Sequence, residues 1–132
     1  MFNGGCFCGA VRYRASAQRV EATICHCTIC RRTTGAPFVA WFSLPAADFT
    51  VLAGTPSALR SSTHATRTFC AACGTQLTFI DDATPGEVDV TIGSLDEPDL
   101  IAPADHTFTR GKLAWVRLAD DLPQFQASRA NG

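Results

Sequence analysis

The sequence predicts an all-β fold, or a β-rich fold with at most one or two short helical turns. Short stretches rich in β-branched and aromatic residues recur between turn residues, which is typical of strands. No window of about ten residues shows a convincing 3.6-residue hydrophobic period. With 132 residues, 46% of them hydrophobic, the chain can build one core. We expect one zinc-binding domain over residues 1–126 and a frayed tail over residues 127–132, which lack apolar anchors.

The strand candidates begin near the N-terminus and continue along most of the chain. Residues 10–15 and residues 88–92 alternate apolar and polar side chains, as half-buried strands do. Residues 66–69 and 76–80 flank the turn at residues 70–73, which predicts that the two segments form an antiparallel pair. The remaining candidates are residues 21–25, 38–44, 49–52 and 112–118.

The charge and hydropathy patterns argue against several classes of partner. The net charge is −1, with 11 basic and 12 acidic residues spread along the chain and no basic stripe. A nucleic-acid partner is therefore not expected. The N-terminus has no signal-peptide pattern, and the longest apolar stretch is far below the ~20 residues of a membrane span. We expect a soluble, cytoplasmic protein that does not contact a membrane.

Seven cysteines, gathered in three clusters, carry the chemistry of this sequence. In an intracellular protein such clusters are more often metal ligands than disulfides, and an odd number does not complete a disulfide framework. Cys70 and Cys73, followed by Gly74, have the spacing of a zinc knuckle, in which a tight turn aims both sulfurs at one ion. A redox motif is the alternative, but such motifs open a helix, and this pair lies between two strand candidates.

The Cys70–Cys73 pair supplies two of the four ligands of a closed tetrahedral site, so two more must come from elsewhere. Cys6 and Cys8 are two residues apart, and on an extended strand both would face the same side. Gly9 then lets the chain turn away close to the ion. These four cysteines together predict a structural zinc site that ties the N-terminus to the middle of the chain. The alternative for Cys6 and Cys8 is a pair of buried apolar thiols.

The middle cluster holds three cysteines within six residues: Cys25, Cys27 and Cys30. Three thiolates this close suit one zinc ion whose fourth position stays open, which is the pattern of a reactive site. His26 lies between two of them, but chain neighbours point in different directions, which favours a surface or supporting role over coordination. His64 and His106 have no ligand-spaced neighbours and are predicted to be ordinary hydrogen-bonding residues.

Two arginines, Arg31 and Arg32, follow the middle cluster directly. A zinc ion with three thiolates carries a formal charge of −1, and a fourth thiolate would make it −2. Guanidinium groups nearby would favour that anionic state and could bind a carboxylate of the substrate. The alternative is a pair of solvated surface arginines.

Three cysteine motifs follow one another along the chain, and further matches come after them. The motifs are Gly5-Cys6-Phe7-Cys8-Gly9-Ala10-Val11-Arg12-Tyr13, Cys25-His26-Cys27-x-x-Cys30-Arg31 with Gly35 and Phe38, and Arg67-x-Phe69-Cys70-x-x-Cys73-Gly74-x-x-Leu77. The later matches are Gly93-Ser94-Leu95-Asp96-x-Pro98, His106-x-Phe108, and Trp115 with Leu122-Pro123-x-Phe125. Over about residues 2–125 this order resembles the glutathione-dependent formaldehyde-activating enzyme family, which also includes centromere protein V.

The resemblance implies a β-tent, a compact zinc-stabilised domain of several small coiled antiparallel sheets. It implies the same division of the cysteines that spacing had suggested: a structural zinc on Cys6, Cys8, Cys70 and Cys73, and a second zinc on Cys25, Cys27 and Cys30. The implied activity joins formaldehyde to glutathione as S-(hydroxymethyl)glutathione and is classed as a carbon–sulfur lyase.

The leading hypothesis is therefore thiol activation at the open zinc site, with Cys25, Cys27 and Cys30 as the catalytic ligands and Arg31 or Arg32 binding a carboxylate. The thiol, glutathione or a similar molecule, would lose its proton there and add to formaldehyde or another small aldehyde. The sequence nominates no general acid or base. Two alternatives stay open: a non-catalytic zinc-stabilised binding module, and a redox or zinc-buffering protein.

Overall fold

The computed structural model describes residues 1–129, and in that range it contains ten strands and one α-helix. The helix α1 (Thr28–Thr34) has seven residues, and no helix in this range is long and apolar enough to cross a membrane. The strands are β1 (Phe2–Gly5), β2 (Arg12–Ala15), β3 (Glu21–Cys25), β4 (Val39–Pro45), β5 (Phe49–Ala53), β6 (Ser57–Arg60), β7 (Ala65–Phe69), β8 (Gln76–Asp81), β9 (Glu87–Thr91) and β10 (Asp105–Thr107).

The strands form two sheets of unequal size. The smaller sheet has the order β1-β2-β5 and is antiparallel. The larger sheet has the order β10-β3-β4-β9-β8-β7-β6, and its one parallel pair among the described residues is β10 with β3. The predicted β-rich class, with a single short helix, is confirmed. The predicted antiparallel pairing on either side of the Cys70–Cys73 turn is confirmed as well, by β7 and β8.

The hydrophobic core contains side chains from both sheets. Tyr13 of the smaller sheet and Phe42 of the larger one are fully buried in the same cluster. The Tyr13 hydroxyl lies 2.6 Å from the Ser94 hydroxyl, so its polar end is satisfied inside the core. The alternation of apolar and polar side chains along the strands builds this core, because every second side chain of a strand faces the same side of the sheet.

The same alternation turns a second set of side chains to the opposite face of the larger sheet. Along β9, Val88 and Val90 are buried in the core, whereas Asp89 between them is only partly buried. The strand register places five such residues side by side in one row, which we call the cross-strand row: Glu21, Ser43, Asp89, Phe79 and Arg67.

The strand predicted over residues 112–118 is wrong. The Val116 amide donates to the Leu113 carbonyl, and Lys112 Nζ donates to the carbonyls of Leu113 and Val116. These local hydrogen bonds close turns, which satisfy the backbone without a neighbouring strand. Three short strands, β1, β6 and β10, were not among the sequence-based candidates.

The tail predicted over residues 127–132 is described only in its first three residues. The Ala127 carbonyl accepts a hydrogen bond from the Phe108 amide. Arg129 donates to Glu21 Oε2 at 2.8 Å and to Asp105 Oδ2 at 2.5 Å. Residues 130–132 lie outside the described range, so the fraying of the tail stays a prediction.

We expect Phe42→Ala to lower the free energy of unfolding by about 3–5 kcal/mol, because it leaves a cavity in a core that buries this side chain completely. Phe7→Ala is the matched control. Its ring is 94% exposed, so the expected change is within about 0.5 kcal/mol. Urea unfolding of the two variants checks this. Similar losses in both would contradict the assignment of the core.

Candidate functional site

Cys6, Cys8, Cys70 and Cys73 come together in the structure, with their four sulfur atoms within 4.8 Å of one another. The pair Cys70 and Cys73 lies in the turn between β7 and β8. There the Gly74 amide donates to the Cys70 carbonyl at 2.7 Å, and Gly74 has a φ of 82°. This left-handed conformation is easiest for glycine, which explains why the residue follows the second cysteine.

The pair Cys6 and Cys8 lies on a tight turn and not on the extended strand considered from the sequence. The Gly9 amide donates to the Cys6 carbonyl at 3.1 Å, and Gly9 has a φ of 80°. The amide of Val11 then donates to Cys6 Sγ at 3.2 Å. Turn geometry, and not the alternation of a strand, therefore brings these two sulfurs to the same side.

The distances in this four-sulfur cluster fit a tetrahedral metal site. Cys6 Sγ lies 3.6 Å from Cys8 Sγ, which lies 3.8 Å from Cys70 Sγ. A tetrahedron with metal–sulfur bonds of about 2.3 Å has edges of about 3.8 Å. All seven cysteines are free thiols. The cluster could hold a metal ion, and an all-sulfur donor set suits zinc.

Cys25, Cys27 and Cys30 form a second group, with their sulfurs within 4.8 Å of one another. Cys25 is the last residue of β3, and Cys30 lies in the first turn of α1. Cys27 caps the helix, since its sulfur accepts the Cys30 amide at 3.2 Å. The end of a strand and the start of a helix thus aim three sulfurs at one point.

This three-sulfur cluster also could hold a metal ion, and its donor set is incomplete for a tetrahedral one. Within residues 1–129, no further histidine, cysteine or carboxylate ligand atom lies within 4.8 Å of all three sulfurs. The fourth position of a tetrahedral ion is thus left without a histidine, cysteine or carboxylate from residues 1–129, and water or a substrate could take it.

His26, between Cys25 and Cys27, does not join the sulfurs. Its Nε2 lies 2.9 Å from His106 Nδ1, and His106 Nε2 lies 2.8 Å from Asp120 Oδ2. Because a carboxylate only accepts, His106 Nε2 donates to Asp120, and His26 Nε2 donates to His106 Nδ1. Burial lowers the pKa of His26 and keeps the ring neutral. His106 is a hydrogen-bonding residue, as predicted.

Arg67 contacts the three-sulfur cluster, a position that the cysteine motifs did not predict. Its Nη1 and Nη2 donate to Cys30 Sγ at 3.6 and 3.5 Å. The guanidinium lies 4.9 Å from the centre of the Phe79 ring and 5.7 Å from that of Trp41, and the residue is only 3% exposed. A buried cation needs negative charge nearby, and the Cys30 sulfur would provide it in the ionised form that binds metals.

The pKa of Cys27 is lowered, which favours the thiolate that binds metals. Contact with the Cys25 sulfur is the largest cause, followed by contact with the Cys30 sulfur. The Cys30 amide and the positive charge of Arg67 act in the same direction and oppose the effect of burial. The thiolate, and not the thiol, is the ligand form of cysteine.

The three-sulfur cluster opens on a cavity of about 670 Å³. This volume is in the range of small-molecule sites, about 300–1,000 Å³. Trp41 and Phe79 provide apolar walls, and Phe108, Arg110 and Gly111 line another part of the cavity. The site is therefore large enough for a molecule that also contacts the sulfurs.

The cross-strand row brings carboxylates into the same cavity. Ser43 Oγ donates to Asp89 Oδ1 at 2.5 Å, and both residues line the cavity together with Glu21. Burial raises the pKa of Asp89 to about 6, because it disfavours the charged form. The cavity therefore combines sulfurs and a guanidinium with carboxylates contributed by other strands.

Arg31 and Arg32 are not among the residues that line this cavity within the described range. Successive helical residues are about 100° apart, so the residues after Cys30 turn away when Cys30 faces the cluster. Arg32 is exposed, and Arg31 Nε is buried without a hydrogen-bond partner among the described residues.

The sequence reasoning missed Arg67 and Asp89 as cavity residues. The alternation along β7 and β9 was the available signal, but it does not say which residues meet across strands.

Comparisons with known proteins give a consistent family. The family model described as glutathione-dependent formaldehyde-activating enzyme matches residues 1–111. A Halomonas elongata protein named as a putative glutathione-dependent formaldehyde-activating enzyme is 30% identical over 128 residues, covering 89% of this chain and 81% of that one. A Schizosaccharomyces pombe protein named as an uncharacterized lyase is 33% identical over 78 residues, covering 59% of this chain and 56% of that one.

A solved structure supports the same fold. The crystal structure of a Rhodobacter sphaeroides protein matches with a TM-score of 0.62 and 21% identity, covering 93% of this chain and 98% of that chain. At this identity the likeness speaks for the fold alone.

The two clusters predict a metal content of two ions per chain. We expect Cys27→Ser to bind one ion fewer than the wild type, because it removes a ligand from the three-sulfur cluster and leaves the four-sulfur cluster complete. Elemental analysis of the purified variant measures this, and cobalt substitution reports the sulfur ligands through their charge-transfer bands. If Cys27→Ser lost both ions, the two clusters would not be independent sites.

Proposed function

Because the chain belongs to the glutathione-dependent formaldehyde-activating enzyme family, we propose that it activates a thiol, glutathione or a similar one, for reversible addition to formaldehyde or another small aldehyde. The reaction is that of a carbon–sulfur lyase of the S-(hydroxymethyl)glutathione synthase type. The observation that carries this proposal is the three-sulfur cluster, which has no fourth histidine, cysteine or carboxylate ligand among residues 1–129 and opens on a cavity.

The proposal includes two zinc ions. Cys6, Cys8, Cys70 and Cys73 would hold one ion in a closed structural site, for which their sulfur spacing is suited. The residues Cys25, Cys27 and Cys30 would hold the second. A zinc ion there supplies Lewis acidity, which lowers the pKa of a thiol that binds as the fourth ligand.

Residues of the chain would balance the negative charge of an ion bound by the three sulfurs. A divalent ion with three thiolates has a formal charge of −1, and Arg67 against Cys30 Sγ offsets it. The apolar walls formed by Trp41 and Phe79 limit water around the sulfurs and strengthen this electrostatic interaction. Positioning of thiol and aldehyde in one cavity then accounts for much of the rate gain.

A carboxylate of the thiol has a candidate partner in Arg110. Its guanidinium lies 5.8 Å from the centre of the Phe108 ring, is exposed, and has no ion-pair partner among residues 1–129. Arg110 lines the cavity, which Arg31 and Arg32 do not. The carboxylate-binding role predicted for Arg31 and Arg32 stays a prediction.

A non-catalytic binding module would use both clusters only for shape. Such a module would be expected to close the second site with a protein ligand. Within the described residues no such ligand joins Cys25, Cys27 and Cys30, and the nearby His26 bonds to His106 instead. This favours the enzyme.

We expect Cys27→Ala to lower the rate of hydroxymethyl-thiol formation by about 100-fold, since the thiol would lose its position beside the aldehyde. NMR with labelled formaldehyde and glutathione measures the initial rate above the uncatalysed background. A variant that keeps both the wild-type rate and the wild-type fold would remove the three-sulfur cluster from the mechanism.

Thermal stability should distinguish the two clusters. We expect Cys73→Ser largely to unfold the protein, because structural zinc binding contributes about 10–16 kcal/mol, whereas the whole stability of a domain is about 5–15 kcal/mol. Cys27→Ser should retain the fold and lose only function. Calorimetry of both variants tests the division, and equal losses in Tm would contradict it.

A further inference from the structure

We propose that Asp89, held by Ser43, binds the ammonium group of the thiol substrate at a subsite remote from the cysteines. This subsite rests on the proposed function, because it assigns the second point at which the thiol is held. It also narrows the substrate class to thiols whose ammonium lies several bonds from the sulfur. Simple alkyl thiols and thiols with an adjacent amine would not reach both points.

The first argument is charge. Two carboxylates of the cross-strand row line the cavity, and they differ in their partners. Glu21 accepts from Arg129 Nη1 at 2.8 Å. Asp89 accepts a hydrogen bond from the neutral Ser43 hydroxyl and has no ion-pair partner among residues 1–129. A partly buried carboxylate without a cation is costly, and a cationic ligand group would compensate it.

The second argument is the set of charges around Asp89. Burial is the main reason that its pKa rises to about 6, and the nearby charges of Glu87 and Asp81 add to the effect. Arg67 acts in the opposite direction but bonds to Cys30. The negative charges of Asp89, Glu87 and Asp81 would favour an ammonium bound there. The charged and titratable groups that face Asp89 from its own and neighbouring elements, or line the same cavity, are Glu21, Cys25, Cys27, Cys30, His64, Arg67, Asp81, Glu87, Arg110 and Arg129.

The third argument is distance. Val39 lies opposite Cys25, and Ser43 is four residues further along β4. At about 3.3 Å per residue, the backbone positions are about 13 Å apart. Side chains reaching into the cavity shorten this span. Glutathione, whose ammonium is separated from the cysteine by the length of a γ-glutamyl chain, can extend between two points separated in this way.

The experiment compares glutathione with its counterpart lacking only the ammonium, N-glutaryl-cysteinylglycine. Both are titrated calorimetrically into zinc-loaded wild type, Asp89→Asn and Ser43→Ala. We expect wild type to bind glutathione about 10-fold more tightly, which is typical of a charge-assisted hydrogen bond. Asp89→Asn should bind the two thiols equally, and Ser43→Ala should have a smaller preference for glutathione than the wild type. Asp99→Asn, on an exposed turn, is the matched control and should keep it.

The pH dependence gives a second readout. Only the deprotonated carboxylate attracts the ammonium, so the preference should fall as the pH is lowered through about 6. Taking the ratio of the two affinities removes effects common to both thiols. Asp89→Asn should lack this dependence, which separates Asp89 from His64 and the other groups that face it.

Each outcome bears on one of the two proposals. Equal affinities in wild type, or a preference that survives in Asp89→Asn, would overturn the subsite and leave thiol activation standing. A preference that depends on Asp89 without any hydroxymethyl-thiol formation would support the subsite and contradict the proposed reaction. Failure to bind either thiol overturns both. If Asp89→Asn does not fold, the wild-type preference and its loss at low pH decide the matter.

Discussion

The junction between the Cys6–Cys8 turn and the Cys70–Cys73 turn is the constraint on which the rest of the structure depends. It joins sulfurs that are 62 residues apart in the chain, a closure that costs conformational entropy and needs a strong local interaction. The second turn also begins where β7 ends. Arg67 lies three residues before Cys70, so the position of the turn helps to determine where its guanidinium meets Cys30. The four-sulfur cluster thereby influences the three-sulfur cluster without touching it.

One face of the larger sheet packs in the hydrophobic core, and the opposite face lines the cavity. Phe42 is fully buried in the core, whereas its neighbours Trp41 and Ser43 line the cavity. The two roles are coupled, because a one-residue shift in register would exchange the faces. The packing of Phe42 and Val90 therefore fixes the register that aligns Ser43 with Asp89. Stability of the core and placement of the polar groups in the cavity depend on the same strand pairing.

Local patterns in the sequence predicted much of the fold and the composition of the cysteine clusters. The spacing of Cys70 and Cys73, and the glycines after each pair, determine short turns that depend on few distant residues. Arg67 and Asp89 could not be predicted as cavity residues in this way. Their alternation is visible, but their meeting depends on register across β7, β8 and β9, which the sequence does not specify locally. The turn over residues 112–118 was missed because a lysine side chain satisfies its carbonyls.

In the proposed reaction, the size of the cavity would assign specificity to the thiol and not to the aldehyde. Formaldehyde is a small uncharged molecule, comparable to a few waters of about 30 Å³ each, whereas the cavity holds about 670 Å³. Charges also differ along its length. Arg67, at one end of the cross-strand row, lies beside Cys30, whereas Asp89 and Glu21 line the cavity from positions further along the same row. A ligand with a thiolate near Arg67 and a cation near Asp89 and Glu21 complements both the positive and the negative charges of the cavity. A neutral aldehyde complements neither. In the proposed reaction, electrostatic discrimination would therefore act on the thiol, while the aldehyde would need only access to the space beside the thiol's sulfur.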